Sequence, residues 1–433
     1  MRFPGKRKSK HYFPVTQKSR ISFDYDFSRK GAVHVIGIDQ LLVDIEAQVD
    51  DKFLLEKGLP KGQSIVLDDA KGEELYQYLK KNNMVTGEYP GGAVGNTLHN
   101  YSVISDSKSI LLGVINKNIT VGDYAYKYIC NTCSLVDLSY LQPCIDGQMG
   151  KAICFVTPDG ERTFGICVGR MNDLSSESIS ETLIKEASIL LISAYLLRSD
   201  KTPLFHSTMK AVQLAQQNDI PVVLSLGTEF LIRDKRDFFI DFIKQYVNVL
   251  AMNDSEAKAL SMKDDTLLAG EWCLDIADMA LITVGPHGLY LAAYTDKKYA
   301  RETKNQLHTK SIVMYNKHEY SRGMSRKHCD EPIKIYTHIN PFLGGPGQVA
   351  STNGAGDAAL AALIHDISAN VYHKDMIPNS PKHAAKFLTY SSLAQISKYA
   401  NRVSYEVLEQ NSPRLLKGLP EKEDNLEEGY WEK

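Results

Sequence analysis

Ser351-Thr352-Asn353-Gly354-Ala355-Gly356-Asp357 runs without a break into Ala358-Ala359-Leu360-Ala361-Ala362-Leu363-Ile364. Small residues and glycines here open a strongly helical apolar segment. The backbone N–H groups of a helix start have no partner within the helix, and they face what lies in front together with the positive end of the helix dipole. Such a start makes an anion hole suited to a phosphoryl group in transfer. Asp357 falls in the first helical turn, where a carboxylate can take a proton from an attacking hydroxyl. A Gly-rich turn with an Asp capping the helix accounts for the same spacing, so both readings stand on the residues alone.

Upstream of that helix, short apolar β-branched runs alternate with amphipathic segments. Strands are predicted over Val33–Ile38, Ser109–Ile115, Ser188–Ala194, Pro221–Leu226, Val247–Met252 and Met279–Val284. Helices are predicted over Glu73–Asn82, Thr97–Ser105, Gly122–Thr132, Pro203–Asn218, Phe238–Tyr246 and Asp254–Ser261. Strands apolar on both faces and separated by helices are the pattern of an α/β fold with a mostly parallel sheet. Such sheets bind ligands outside the carboxyl ends of their strands. Two stretches break the alternation. Ala152–Val168 places Asp159-Gly160 between two apolar runs and reads as a hairpin that projects as a flap. Thr295–Gly347 is rich in Lys, His, Asn and Gly and reads as an insertion with short strands at Ser311–Tyr315 and Ile333–Tyr336.

With 50 Lys plus Arg against 52 Asp plus Glu, the net charge of the 433 residues is −2. That balance gives no global reason to bind nucleic acid or an anionic membrane. The ends depart from it. Residues 1–20 carry seven basic side chains and no acid, and residues 421–433 carry six acids against two bases. Both read as solvated tails; the basic arm alternatively folds over an anionic ligand such as a polyphosphate nucleotide regulator. The start has no apolar stretch of a signal peptide, and no run reaches the roughly 18 apolar residues of a membrane span. Ala187–Leu197, the best candidate, reads as a buried strand. A cytoplasmic protein is expected. Of seven cysteines, only Cys130 and Cys133 form a C-x-x-C, and no second pair stands at zinc-site spacing. Ordinary thiols are expected.

No G-x-x-x-x-G-K-[ST] occurs, which excludes a Walker-type phosphate loop. A dinucleotide-binding G-x-G-x-x-G after the first strand is also missing, which argues against hydride transfer. Gly91-Gly92-Ala93-Val94-Gly95-Asn96 leads into a predicted helix. Its glycines allow close backbone approach to a ligand and Asn96 can bond hydroxyls, although a plain turn before a helix fits as well. Asp39 ends the first strand, where it can grip sugar hydroxyls. Asn253-Asp254-Ser255-Glu256 has the spacing of a capping box, and Thr283-Val284-Gly285-Pro286-His287-Gly288 that of a tight turn. These motifs fall at the carboxyl ends of successive strands. That coincidence outweighs any one of them.

Taken together, the chain resembles the ribokinase-like, PfkB-type carbohydrate kinases from about residue 33 to residue 405. Ser351–Asp357 is similar to the family's closing D-T-x-G-A-G-D, Asn253–Glu256 to its N-x-x-E, Thr283–Gly288 to its nucleotide loop and Gly91–Asn96 to its sugar motif. The resemblance implies a three-layer α/β/α fold with a small β lid that includes residues 40–50 and 152–168. It further implies a kinase domain over 33–410, with the insertion at 295–347, between a basic arm (1–32) and an acidic tail (411–433). Asp357 matches the catalytic base, and Gly354, Ala355 and Gly356 the anion hole. Asp39, Gln40, Asp44, Gly91, Gly92, Asn96 and Arg198 are the expected substrate contacts, with Asp44 reaching in from the loop after the first strand. Arg198 would meet a purine O6 or a product phosphate, or else a surface acid. Asn253, Glu256, Thr283, Gly285, Gly288, Thr352 and Asn353 are expected at ATP, with Asn253 and Glu256 meeting Mg²⁺ through water or phosphate. Ser351 stands where the family usually has Asp, which leaves use of K⁺ open. Phe3–Pro14, Gly37–Glu46 and Ser412–Pro420 are similar to a branch that phosphorylates inosine and guanosine at the 5′-hydroxyl with ATP. A kinase for adenosine, ribose or a ketohexose, and a non-catalytic purine-nucleotide sensor, are the alternatives; a homodimer is left open.

Overall fold

The computed structural model describes residues 34–303, 315–341 and 349–419. Seven strands run parallel across the larger sheet in the order Val136–Asp137, Ser109–Leu112, His34–Ile38, Ala187–Ser193, Val222–Ser225, Val249–Asn253 and Met279–Thr283. Antiparallel strands then extend it: Leu289–Asp296 lies beside Met279–Thr283, Pro332–Ile339 and Arg322–Met324 both pair with Leu289–Asp296, and Phe387–Ser392 pairs with Arg322–Met324. The stretch read as an insertion thus contributes two strands to the sheet edge.

Strand alternation divides the core in two, because successive side chains point to opposite faces. Val35, Leu111, Leu191, Val223, Val249 and Leu281 pack on one face against helices Ala93–Ser105, Ala355–Met376 and Leu393–Leu408. Ile36, Leu112, Leu190, Leu224, Leu250 and Ile282 pack on the other, against Pro203–Gln217, Arg236–Tyr246 and Asp254–Ser261. This is the expected three-layer arrangement.

A second, five-stranded sheet has the order Ser64–Leu67, Arg162–Cys167, Gly150–Val156, Leu42–Gln48, Val85–Gly91. The hairpin around Asp159-Gly160 is its centre. Val43, Ile45 and Ala47 bury one face of it against Phe53, Leu75 and Leu79, which leaves Leu42, Asp44 and Glu46 on the other. This is the small β lid.

The strand expected over Ser109–Ile115 breaks at Gly113: Val114–Asn116 leaves the main sheet to pair with Gln142–Cys144. Leu41 packs directly on Gly113, where any side chain would also meet the Asp39 carbonyl at 2.9 Å. The run Ala187–Leu197 is strand only to Ser193 and closes in a 3₁₀ turn, Ala194–Leu197. Tyr315 begins a 3₁₀ turn rather than ending a strand; Ser311–Met314 lie outside the described residues. No helix among the described residues is long and apolar enough to cross a membrane.

Candidate active site

A cleft of about 1410 Å³ opens between the carboxyl ends of the parallel strands and the lid. Asp39, Gln40, Asp44, Gly92, Asn96 and Arg198 line it; so do Asn253, Glu256 and Thr283, and Thr352, Asn353, Gly354, Gly356 and Asp357. Gly91, Ala355, Gly285 and Gly288 do not. Sheet topology explains the convergence. Asp39 follows the strand His34–Ile38, Asn253 and Thr283 end two neighbouring strands, and Arg198 follows the turn after Ala187–Ser193.

Asp39 is buried, and both of its oxygens are held by backbone: Oδ1 accepts the Gln40 N–H at 2.9 Å and Oδ2 the Gly95 N–H at 2.7 Å. The Gln40 side chain donates to Asn172 Oδ1. Gly92 takes φ 95° as it turns the chain into helix Ala93–Ser105, and a side chain there would collide with the Asp39 carboxylate. Asp44 comes from the lid strand Leu42–Gln48, not from a loop, because that whole segment pairs on both sides in the lid. Gly91 makes room for it: a Cβ at Gly91 would lie 2.8 Å from Asp44 Oδ2.

Helix Ala355–Met376 begins at Gly354, whose φ of 78° is left-handed, and no side chain caps the start. The N–H groups of Gly356 and Asp357 therefore have no helical acceptor, and Gly356 faces open space. Asp357 stands beside them and accepts from Asn96 Nδ2 at 3.5 Å. Burial holds its carboxyl up at about 7, an effect that Asp44 and Glu256 strengthen and that Asn96 and Arg414 oppose. Asp39 is raised to about 7 and Asp44 to about 6, both mainly by burial. Ser351 Oγ accepts the Asn353 N–H at 3.1 Å in the loop before the helix.

Asn253 and Glu256 form the full capping box. Asn253 N–H and Nδ2 donate to the two Glu256 oxygens at 3.0 and 2.9 Å, and Glu256 N–H donates back to Asn253 Oδ1 at 2.9 Å. Burial raises Glu256 to about 7. A carboxyl so engaged suits contact through water rather than direct ligation, and no cluster of three or more His, Cys, Asp or Glu disposed to hold a metal ion occurs among the described residues. These donors fit a cation that arrives on nucleotide phosphates. Gly288 is fixed by packing, since any side chain there would strike the Ile339 carbonyl.

A model of the pfkB family of carbohydrate kinases matches residues 70–308, more than half of the chain. The chain belongs to the pfkB carbohydrate kinase family. Guanosine-inosine kinase of Escherichia coli strain K12 is 50% identical over 435 residues, covering 100% of both chains. Adenosine kinase from Sinorhizobium meliloti superposes with a TM-score of 0.64 at 20% identity, covering 90% of this chain and 97% of that one. A probable sugar kinase from Rhizobium etli CFN 42 gives 0.65 at 18%, covering 92% and 99%. At those identities the likeness is one of fold. As a pfkB kinase the protein transfers phosphate to a hydroxyl, with ATP and a divalent metal ion.

Other cleft residues of this pfkB kinase carry no motif. Arg162, Phe164 and Ile166 line the lid side, while Thr163, Gly165 and Cys167 alternate with them toward the other face. That period-2 pattern is readable in the hairpin. Tyr195 lines the floor and donates to the Gly227 carbonyl at 2.9 Å. Arg414, far along the chain, lies beneath Asn96; only the resemblance of Ser412–Pro420 pointed there. The basic arm, where a nucleotide regulator was expected, and residues 420–433 of the acidic tail lie outside the described residues. Residues 411–419 pack onto the kinase domain instead of forming part of a solvated tail. All seven cysteines are free thiols.

Proposed function

We propose that this kinase phosphorylates the 5′-hydroxyl of inosine and guanosine with ATP, giving IMP and GMP in purine nucleoside salvage in the cytoplasm. The carrying observation is the pairing of Asp357 with open backbone amides in a cleft that is also lined by Asp39, Gly92 and Asn96. Full-length identity of 50% to a guanosine-inosine kinase supports the substrate.

In this reading Asp39, Asn96 and Asp44 hold the ribose hydroxyls and bring the 5′-oxygen to Asp357. Asp357 takes the hydroxyl proton as the 5′-oxygen forms its bond to the γ-phosphorus and the bond to the bridging β-oxygen breaks, releasing ADP. Amide N–H groups of the Gly354–Asp357 turn meet the charge on the equatorial oxygens. Thr283, Thr352 and Asn353, with Gly285 and Gly288 shaping the neighbouring turn, border the nucleotide. Mg²⁺ supplies charge neutralisation on the phosphates when bound, and Asn253 and Glu256 would hold it through water.

A coupled ADP-release assay over inosine, guanosine, adenosine, ribose and fructose tests the substrate. Inosine and guanosine are expected to lead by kcat/KM. A lead by adenosine or a sugar overturns the assignment, and no phosphoryl transfer to any of them would favour a sensor. Asp357→Asn is expected to lower kcat by ~10²–10⁴-fold while nucleoside still binds.

A further inference from the structure

The segment Ser412–Leu415 closes over the underside of the cleft. Asn100 Nδ2 donates to the Pro413 carbonyl at 3.2 Å and Asn100 Oδ1 accepts the Leu415 N–H at 2.8 Å. His99 bonds the Leu415 carbonyl through Nε2 at 2.9 Å while its Nδ1 accepts the Cys133 N–H at 3.0 Å, which fixes the neutral tautomer. Pro413 packs on Gly354, where a Cβ would lie 2.6 Å from the Pro413 carbonyl oxygen. One short segment thus touches both the helix that carries Asn96 and the turn that carries the anion hole.

Its Arg414 is 2% exposed. Nε donates to Asn96 Oδ1 at 2.9 Å, Nη1 donates to Thr132 Oγ1 at 2.6 Å, and the guanidinium lies over the Tyr128 ring at 4.6 Å. No carboxylate is within ion-pair distance among the described residues, and Nη2 has no hydrogen-bond partner. Nη2 and Asp39 Oδ2 flank Gly95, lying 3.1 and 3.2 Å from where its Cβ would be. An unpaired buried guanidinium is costly. Around it stand Asp39, Asp44 and Asp357, whose carboxyls it favours in their charged form.

We propose that Arg414 is a positioning residue for phosphoryl transfer, which orients the Asn96 amide toward Asp357 and supplies the buried positive charge beneath the site's carboxylates. The orientation follows from chemistry. Guanidinium only donates, so Asn96 must turn its oxygen to Arg414 and its NH₂ to Asp357 Oδ2. The charge acts on the same carboxylate, which Asp44 and Glu256 face with the opposite effect and Tyr195 borders. The inference rests on Asp357 being the base.

Three variants test it through the pH dependence of kcat with inosine. Arg414→Gln can still donate to Asn96 but has no charge. Its acid limb is expected to move up by about one pH unit, the low end for loss of a nearby opposite charge. Arg414→Lys keeps the charge without the fork, so its limb stays at the wild-type position while kcat falls and the KM for inosine changes little. Asn100→Ala loosens the same segment without touching Arg414, and is expected to lower Tm and leave the limb in place. An unmoved limb in Arg414→Gln, or an equal shift in Asn100→Ala, overturns the proposal. If Arg414→Gln does not fold, wild-type kcat in Arg414→Lys overturns it, and reduced kcat with an unmoved limb supports it. A wild-type protein without nucleoside kinase activity sinks the functional reading instead, so the two failures are distinguishable.

Discussion

Asp39 Oδ2 accepts the Gly95 N–H at 2.7 Å, and this bond ties the end of the first strand to the first turn of the helix that carries Asn96. The residue assigned to the ribose is therefore also part of the scaffold. Its remaining lone pairs face the cleft, and Gly92 leaves the space in front of them. Asp39→Asn would turn an NH₂ toward one of two backbone donors, so it should raise the nucleoside KM and also lower Tm. Gly92→Ala meets both the φ of 95° and the carboxylate. Steady-state kinetics should show it the more damaging to kcat/KM, with the KM for ATP nearly unchanged; an unaltered nucleoside KM would remove Gly92 from the ribose site.

Asp357 titrates in the folded protein at about 7 against an ordinary 3.8. In the proposed mechanism the ionised form is the base, so kcat should rise with pH to a limb near 7 and level above it, and the residual rate of Asp357→Asn should lack that limb. Stability moves the other way. Between pH 3.8 and 7 the native state binds this proton and the unfolded chain does not, so the group's contribution falls as pH rises through that window. Asp39, with the same raised value, acts in the same direction. Differential scanning calorimetry of ligand-free Asp357→Asn should therefore show a Tm that loses less than wild type between pH 5 and pH 8.

Gly354 tests the anion hole separately from the base. A side chain there must adopt a left-handed φ of 78° and lie 2.6 Å from Pro413 Cβ. Gly354→Ala should displace the turn and misaim the Gly356 and Asp357 amides. Loss of one such donor typically lowers kcat by ~10²–10³-fold. The expected kcat loss is of that size, with nucleoside affinity by calorimetry kept within a few-fold; wild-type turnover would mean the turn plays no part in the chemistry.

What the sequence made legible follows period and punctuation. Six of the seven parallel strands were visible because a strand buried on both faces is a nearly continuous apolar run, and Asn253–Glu256 because a capping box has fixed spacing; the two-residue strand Val136–Asp137 is too short to leave such a run. The break at Gly113 was not visible. Val114 and Ile115 are as apolar as Leu111 and Leu112, and only the packing of Leu41 onto Gly113 separates them. Pro332–Ile339 was legible only as the shorter Ile333–Tyr336, because an antiparallel strand near the sheet edge needs no apolar run on both faces and its ends lie among polar residues. Arg414 could not be placed by periodicity, since its partner Asn96 is more than three hundred positions away. A contact of that separation has no local signal.

Arg198 bears on specificity. It lines the cleft beside Tyr195, whose ring its guanidinium approaches at 5.4 Å, and among the described residues it has no carboxylate partner. If the purine of the proposed substrate reaches Arg198, this open donor suits a 6-oxo group, which accepts; a 6-amino group presents hydrogens to it and leaves it unpaired. A hydrogen bond to a charged donor contributes about 1.5 kcal/mol at the lower end, which is roughly tenfold in an affinity ratio. Arg198→Ala should then lower the inosine-over-adenosine ratio of kcat/KM by about tenfold, chiefly by weakening inosine, with the acid limb of kcat unmoved because Asp357 is untouched. Because Arg198 is exposed, the variant should fold with wild-type Tm. An unchanged ratio would assign the 6-position to another group, and Arg162 on the facing lid strand is then the next to test.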